Sequence, residues 1–213
     1  KKPVFRLRVL VNAASNGCSE MATALVTGIV TMMFNWTMLT YVGEDGVAAV
    51  TIIMYVLMFA SSLYAGYSYG VAPMLSFYHG EQNREKLKKL VALSRKVIGV
   101  VSVITVAVSL GLTEPLVSGF ARPEDPVYAL AVTGNQICTI ALLFIGFNIF
   151  ASGMFTALSN GAVSAVLAFS RSFVLMLAAM IVLPLLLGVN GIWLATPAAE
   201  LMALLLSAGM YWK

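Results

Sequence analysis

The chain alternates long apolar runs with short polar breaks. No Asp, Glu, Lys or Arg occurs at positions 21–43, 47–80, 97–113, 127–170, 172–199 or 201–212. At about 1.5 Å per helical residue, some 20 residues cross a hydrocarbon core of about 30 Å, so each long run is the size of a membrane helix. The runs lack the ten-residue alternation of a membrane barrel. The pattern predicts an all-α membrane protein with six transmembrane helices at about 15–42, 47–77, 92–113, 127–158, 164–187 and 191–212. The second run is too long for one upright span, so it is expected to tilt or to extend past the bilayer, with a kink at Pro73. The breaks are turn-like: Gly43-Glu-Asp-Gly46, Ser159-Asn160-Gly161 and Gly188-Val-Asn-Gly191. A basic loop is expected at 79–91, and a proline-rich loop, TEPLVSGFARPEDP, after the third span.

Polar positions on the first helix fall into register. Asn16, Thr23, Thr27, Thr31 and Asn35 all lie within about 60° of Glu20 on a helical wheel. An acid at membrane depth is costly and normally faces protein or a water-filled cavity, so Glu20 is a candidate site. The plainer alternative is a solvated carboxylate at the membrane boundary. Glu200 is the second intramembrane acid. Trp193, Thr196, Ser207 and Tyr211 share its face within about 40°, and Pro197 lies three residues before it. Its alternative is an acid hydrogen-bonded between helices for packing.

Composition agrees with this pattern. The 213 residues are 60% hydrophobic and 10% charged, with a mean hydropathy of +0.92. The net charge of +4 does not signal nucleic acid. With six spans both ends lie on one side. Of the 13 Lys and Arg, only Arg122 falls on the other. Positive charge concentrates on cytoplasmic loops, so both ends and the 79–91 loop are expected to be cytoplasmic. Arg171 is expected to snorkel to the interface, and His79 to cap or be solvated. Cys18 and Cys138 read as unpaired thiols. Gly66 and Gly70 read as a close-packing pair, and Trp193 and Trp212 as interface anchors.

Three stretches carry a resemblance: YGVAPMLSFYHGEQNREKLKK at 69–89, GFNIFASGMFTALSNG at 146–161 and LPLLLGVNGIWLATPAAELMALLLS at 183–207. Together they resemble the multidrug and toxic compound extrusion (MATE) transporters of the bacterial branch, specifically the C-terminal six-helix lobe of a twelve-helix transporter. The resemblance implies a partner N-terminal lobe, a bacterial inner-membrane location, and exchange of H⁺ or Na⁺ for organic, often cationic and amphipathic, compounds. It implies no cofactor beyond that coupling ion. Some members place a coupling acid on the first helix of this lobe, where Glu20 stands, and another on the fourth. Here the fourth helix offers Asn135, Gln136 and Asn148 instead.

Candidate coupling residues are therefore Glu20 with the neutral oxygens of Asn16, Thr23 and Thr27, which suit Na⁺; no other metal site is expected. Candidate cavity residues are Asn35, Met38, Tyr64, Tyr67, Asn148, Ser152, Thr196 and Glu200. Soft Met and flat aromatic faces suit a cationic ligand. Two other readings are a flippase of lipid-linked precursors, whose cavity should be more basic, and a non-transport scaffold subunit. No Ser–His or Ser–Lys pairing and no phosphate-binding glycine loop points to an enzyme.

Overall fold

The computed structural model describes residues 25–211. All regular structure within them is helical. Helix α1 covers 25–41, α2 Glu44–Gly80, α3 Arg84–Gly111 and the short α4 Thr113–Ser118. Helix α5, Pro126–Cys138, runs through a 3₁₀ turn at Thr139–Ala141 into α6, Leu142–Ala157. Helix α7, Gly161–Phe169, passes through a π segment, Ser170–Leu175, into α8, Met176–Leu187, and α9 is Val189–Tyr211. Five spans among the described residues are long and apolar enough to cross a membrane: Glu44–Gly80, Arg84–Gly111, Pro126–Ala157, Gly161–Leu187 and Val189–Gly209.

The helices begin and end where local chemistry directs. Asn83 caps α3 by accepting from the Lys86 N–H at 3.1 Å, and Asn160 caps α7 by accepting from Val163. Pro126 opens α5, where its missing N–H costs nothing. Gly43 and Gly188 take positive φ at the two tightest turns, a conformation in which a Cβ would be strained.

The expected basic loop at 79–91 is a correction. Only 81–83 lies outside helix; the basic stretch forms the first turns of α3, and Lys89 pairs with Glu85 one turn before it. Pro73 lies inside α2 without ending it.

The packing has a centre and a periphery. The α5–α6 span and α9 are the most buried, and α3 and the α7–α8 span the least. Met38, Ile53, Ala131, Cys138 and Trp193 share one core cluster, Ala60, Tyr64, Leu142 and Ile145 a second, and Leu75, Ile98, Phe150 and Met154 a third. Close approach is set by Gly146, where an added Cβ would lie 2.7 Å from Tyr64 Cδ1, and by Gly134 against Ile53 and Trp193. Gly66 and Gly70, expected to pack closely, meet nothing within 4 Å. Trp193, expected at the interface, is buried in the core, and Trp212 lies outside the described residues.

Candidate functional site

A charged cluster lies in the interior of the candidate membrane spans, where α6, the π segment and α9 meet. Glu200 sits about 16 Å from the end of α9, Arg171 about 15 Å from the start of α7, and Asn148 about 14 Å from the end of α6, at 1.5 Å per residue. Asn148 Nδ2 donates to Glu200 Oε2 at 2.7 Å and to the Glu200 backbone carbonyl at 2.8 Å. Arg171 Nη1 approaches Glu200 Oε1 at 3.4 Å, an ion pair with a long hydrogen bond. Glu200 is 7% exposed, whereas the Arg171 side chain is 24% exposed.

The amide of Asn148 can face only one way, because both its near neighbours are acceptors. Its Oδ1 therefore points elsewhere, and it is buried without a hydrogen-bond partner among the described residues. Asn148, Ser152, Arg171 and Ser207 help line a cavity of about 30 Å³ beside the cluster. Next to it a hydroxyl chain ties α6 to α7: Thr156 donates to Ser164 Oγ at 2.7 Å, and Ser164 donates to the Ser152 carbonyl at 2.9 Å.

Arg171 is the residue that sequence reasoning misplaced. It was expected at the interface; it lies at mid-span, in the π segment, against Glu200. Segments of this kind recur at functional sites. The signal was in the sequence: Arg171 is the one charged residue of its span, and Glu200 the one charged residue of the next. Two unlike charges at similar depth in adjacent membrane helices are expected to pair.

The other expected residues scatter. Glu20, Asn16 and Thr23 lie outside the described residues. Thr27 is exposed on α1. Met38, at 0% exposure, belongs to the core and not to a cavity wall. Tyr64 is likewise buried and donates to the Leu142 carbonyl at 3.2 Å. Tyr67 donates to Ser94 Oγ at 3.2 Å and ties α2 to α3. Thr196 is buried on α9 one turn before Glu200. Of Asn135 and Gln136, Asn135 is committed to a separate buried network, donating to Thr113 Oγ1 at 2.9 Å. Asn35 does line an open groove of about 520 Å³ between α1 and α2, with Met32, Trp36, Leu39 and Glu44. A second groove of about 440 Å³, between α2 and α3, is almost wholly apolar and ends at the stacked Tyr55 and Phe120 rings.

The MatE family model matches residues 20–182. The chain belongs to the MatE family. Its fold is that of half a MATE transporter. A multidrug resistance MATE family transporter of the MOP superfamily aligns in its inward-facing conformation over 98% of this chain and 48% of its own, at 20% identity and a TM-score of 0.87. The outward-facing conformation aligns over 100% and 47%, at 20% identity and a TM-score of 0.84. A MOP superfamily transporter from Pyrococcus furiosus, for which a reversed polarity of the binding pocket suggested a different function, aligns over 97% and 48%, at 18% identity and a TM-score of 0.81. At these identities the likeness is one of fold. The chain spans slightly less than half the length of these structures. No curated protein matches it significantly.

Proposed function

We propose that this chain is one lobe, the C-terminal one, of an ion-coupled antiporter that exports organic, cationic amphipathic compounds in exchange for H⁺ or Na⁺. The other wall of its cavity would come from the N-terminal lobe. Family membership and the half-length match support the transporter reading. What carries the ion-coupled reading is the Glu200 cluster. An acid kept at mid-membrane costs free energy, and transporters place such groups on ion paths. The α1–α2 groove suits the cargo: Trp36 and Met32 offer a flat ring and a polarisable sulfur, Asn35 an amide, and Glu44 one carboxylate at the rim. Glu20 with Asn16, Thr23 and Thr27 remains a second candidate for the coupling ion. The charge asymmetry supports an orientation with both ends of the chain cytoplasmic, and the family resemblance a bacterial cytoplasmic membrane. No step of this activity calls for catalysis.

One observation favours the flippase alternative. Glu20 and Glu200 were expected to make the mid-membrane charge acidic, but Glu200 is paired with Arg171, and the basic partner is the more exposed. An exposed cation suits phosphate better than an organic cation.

The deciding experiment is dye efflux from proteoliposomes of the full-length protein, with H⁺ and Na⁺ gradients imposed separately. The antiporter reading expects one gradient to drive efflux of a cationic dye. Translocation of a fluorescent anionic lipid with no dye efflux under either gradient would favour the flippase. Glu20→Gln beside wild type tells whether α1 contributes to coupling.

A further inference from the structure

A cation that binds at Glu200 meets one already there. No Asp, Glu, Lys, Arg or His other than Arg171 lies on α5, the 3₁₀ turn, α6, α7, the π segment or α8, the described elements packed against α9. Arg171 is thus the one fixed positive charge that these elements present to the acid. Its hold is slight: one contact at 3.4 Å, from a side chain that is a quarter exposed. Rotation towards the exposed side breaks that hydrogen bond. The carboxylate itself cannot follow, because Asn148 fixes Oε2 at 2.7 Å.

The small cavity beside the pair is lined by Asn148, Ser152 and Ser207, by Arg171 itself, and by the apolar Leu167, Ala168 and Ala203. Asn148 is 95% buried, and its Oδ1 has no hydrogen-bond partner among the described residues. Ser152 Oγ and Ser207 Oγ line the same 30 Å³ space, and Ser207 donates to the Leu204 carbonyl, which leaves its lone pairs available. A space of this size holds one water-sized body. With Arg171 turned away, the amide and hydroxyl oxygens left beside the Glu200 carboxylate are ligands for a hard cation or a hydrated proton.

We propose that Arg171 is a tethered counter-cation of Glu200, and that a small monovalent cation, H⁺ or Na⁺, binds at Glu200 and Asn148 Oδ1 by displacing it. The acid stays paired in both states, so the buried charge is never left alone, which is the costly alternative. The displaced guanidinium moves towards the exposed side of the lobe, where it repels an organic cation. Ion and cargo then exclude one another without sharing a carboxylate. This inference rests on the ion-coupled reading for its role, but ion binding can be measured without transport.

The test is thermal stabilisation of the purified full-length protein, titrated with Na⁺ at fixed pH and with H⁺ at fixed ionic strength. Whichever ion stabilises wild type identifies the ligand. An opposite fixed charge a few ångströms away weakens binding of a second cation by about tenfold or more. Arg171→Gln is therefore expected to half-saturate at an ion concentration lower by that factor, and Arg171→Lys to return it towards wild type. Half-saturation unchanged in Arg171→Gln overturns the proposal, as does the absence of stabilisation by either ion. Where Arg171→Gln alone does not fold, the neutral double variant Arg171→Gln/Glu200→Gln carries the test. It is expected to lose stabilisation by the ion, and a wild-type response from it overturns the proposal. Loss of dye efflux with ion binding intact would count against the antiporter and not against Arg171.

Discussion

At the scale of single residues, Asn148 and Glu200 depend on each other. The amide spends both N–H groups on Glu200, and the acid has only a long contact elsewhere. Asn148→Ala leaves the buried carboxylate short of its best donor. Losing a hydrogen bond to a charged group costs about 1.5–3 kcal/mol, so the melting temperature of the full-length protein should fall measurably. An unchanged melting temperature would show that water replaces the amide without loss. Glu200 was legible in the sequence as a membrane acid, and Asn148 as a polar residue on the fourth helix. Their contact was not, because a helical wheel gives direction within one helix and nothing about the neighbour. Tyr64 shows the same limit. Its aromatic ring suggested a cavity wall, yet Gly146 on α6 opens a slot that the ring fills. Gly146→Val should cost about 1–3 kcal/mol by overpacking, checked by thermal unfolding; a melting temperature equal to wild type would contradict that packing.

At the scale of elements, the runs of apolar residues located the spans well because length and hydropathy are local properties. What they missed depends on hydrogen bonding along the chain. The basic stretch after Asn83 was assigned to a connecting loop although its charge pattern is helical, and its capping Asn and Glu85–Lys89 pair start α3 there. The π segment at Ser170–Leu175 left no mark in composition; Arg171 was placed at the membrane surface because it was weighed by itself and not against Glu200 on the next span. Gly66 and Gly70 read as a packing motif, yet α2 turns them away from the described neighbours and packs through Ile53 and Tyr64. A small-residue pair says that close approach is permitted, not that it occurs.

At the scale of the whole molecule, the lobe leaves a groove of Met32, Asn35, Trp36 and Glu44 and a second of Tyr55, Phe59 and Phe120 on its surface. The matching structures are about twice as long as this chain. The proposed orientation in the membrane rests on charge alone and has its own check. In a background lacking Cys18 and Cys138, a cysteine at Gln82 should react with an impermeant thiol reagent only from the cytoplasmic side. One at Gly119 should react only from outside, and labelling in the reverse sense would overturn the assignment.

The central claim is that this lobe couples an ion to export through Glu200. Its most direct test is gradient-driven efflux of a cationic dye from proteoliposomes of the full-length protein, with Glu200→Gln beside wild type and both confirmed folded by their melting curves. Loss of gradient-driven efflux in the variant, down to the passive leak, is the expected result. Efflux at the wild-type rate would reduce the Glu200 cluster to a packing device and move coupling to Glu20 or to the other lobe.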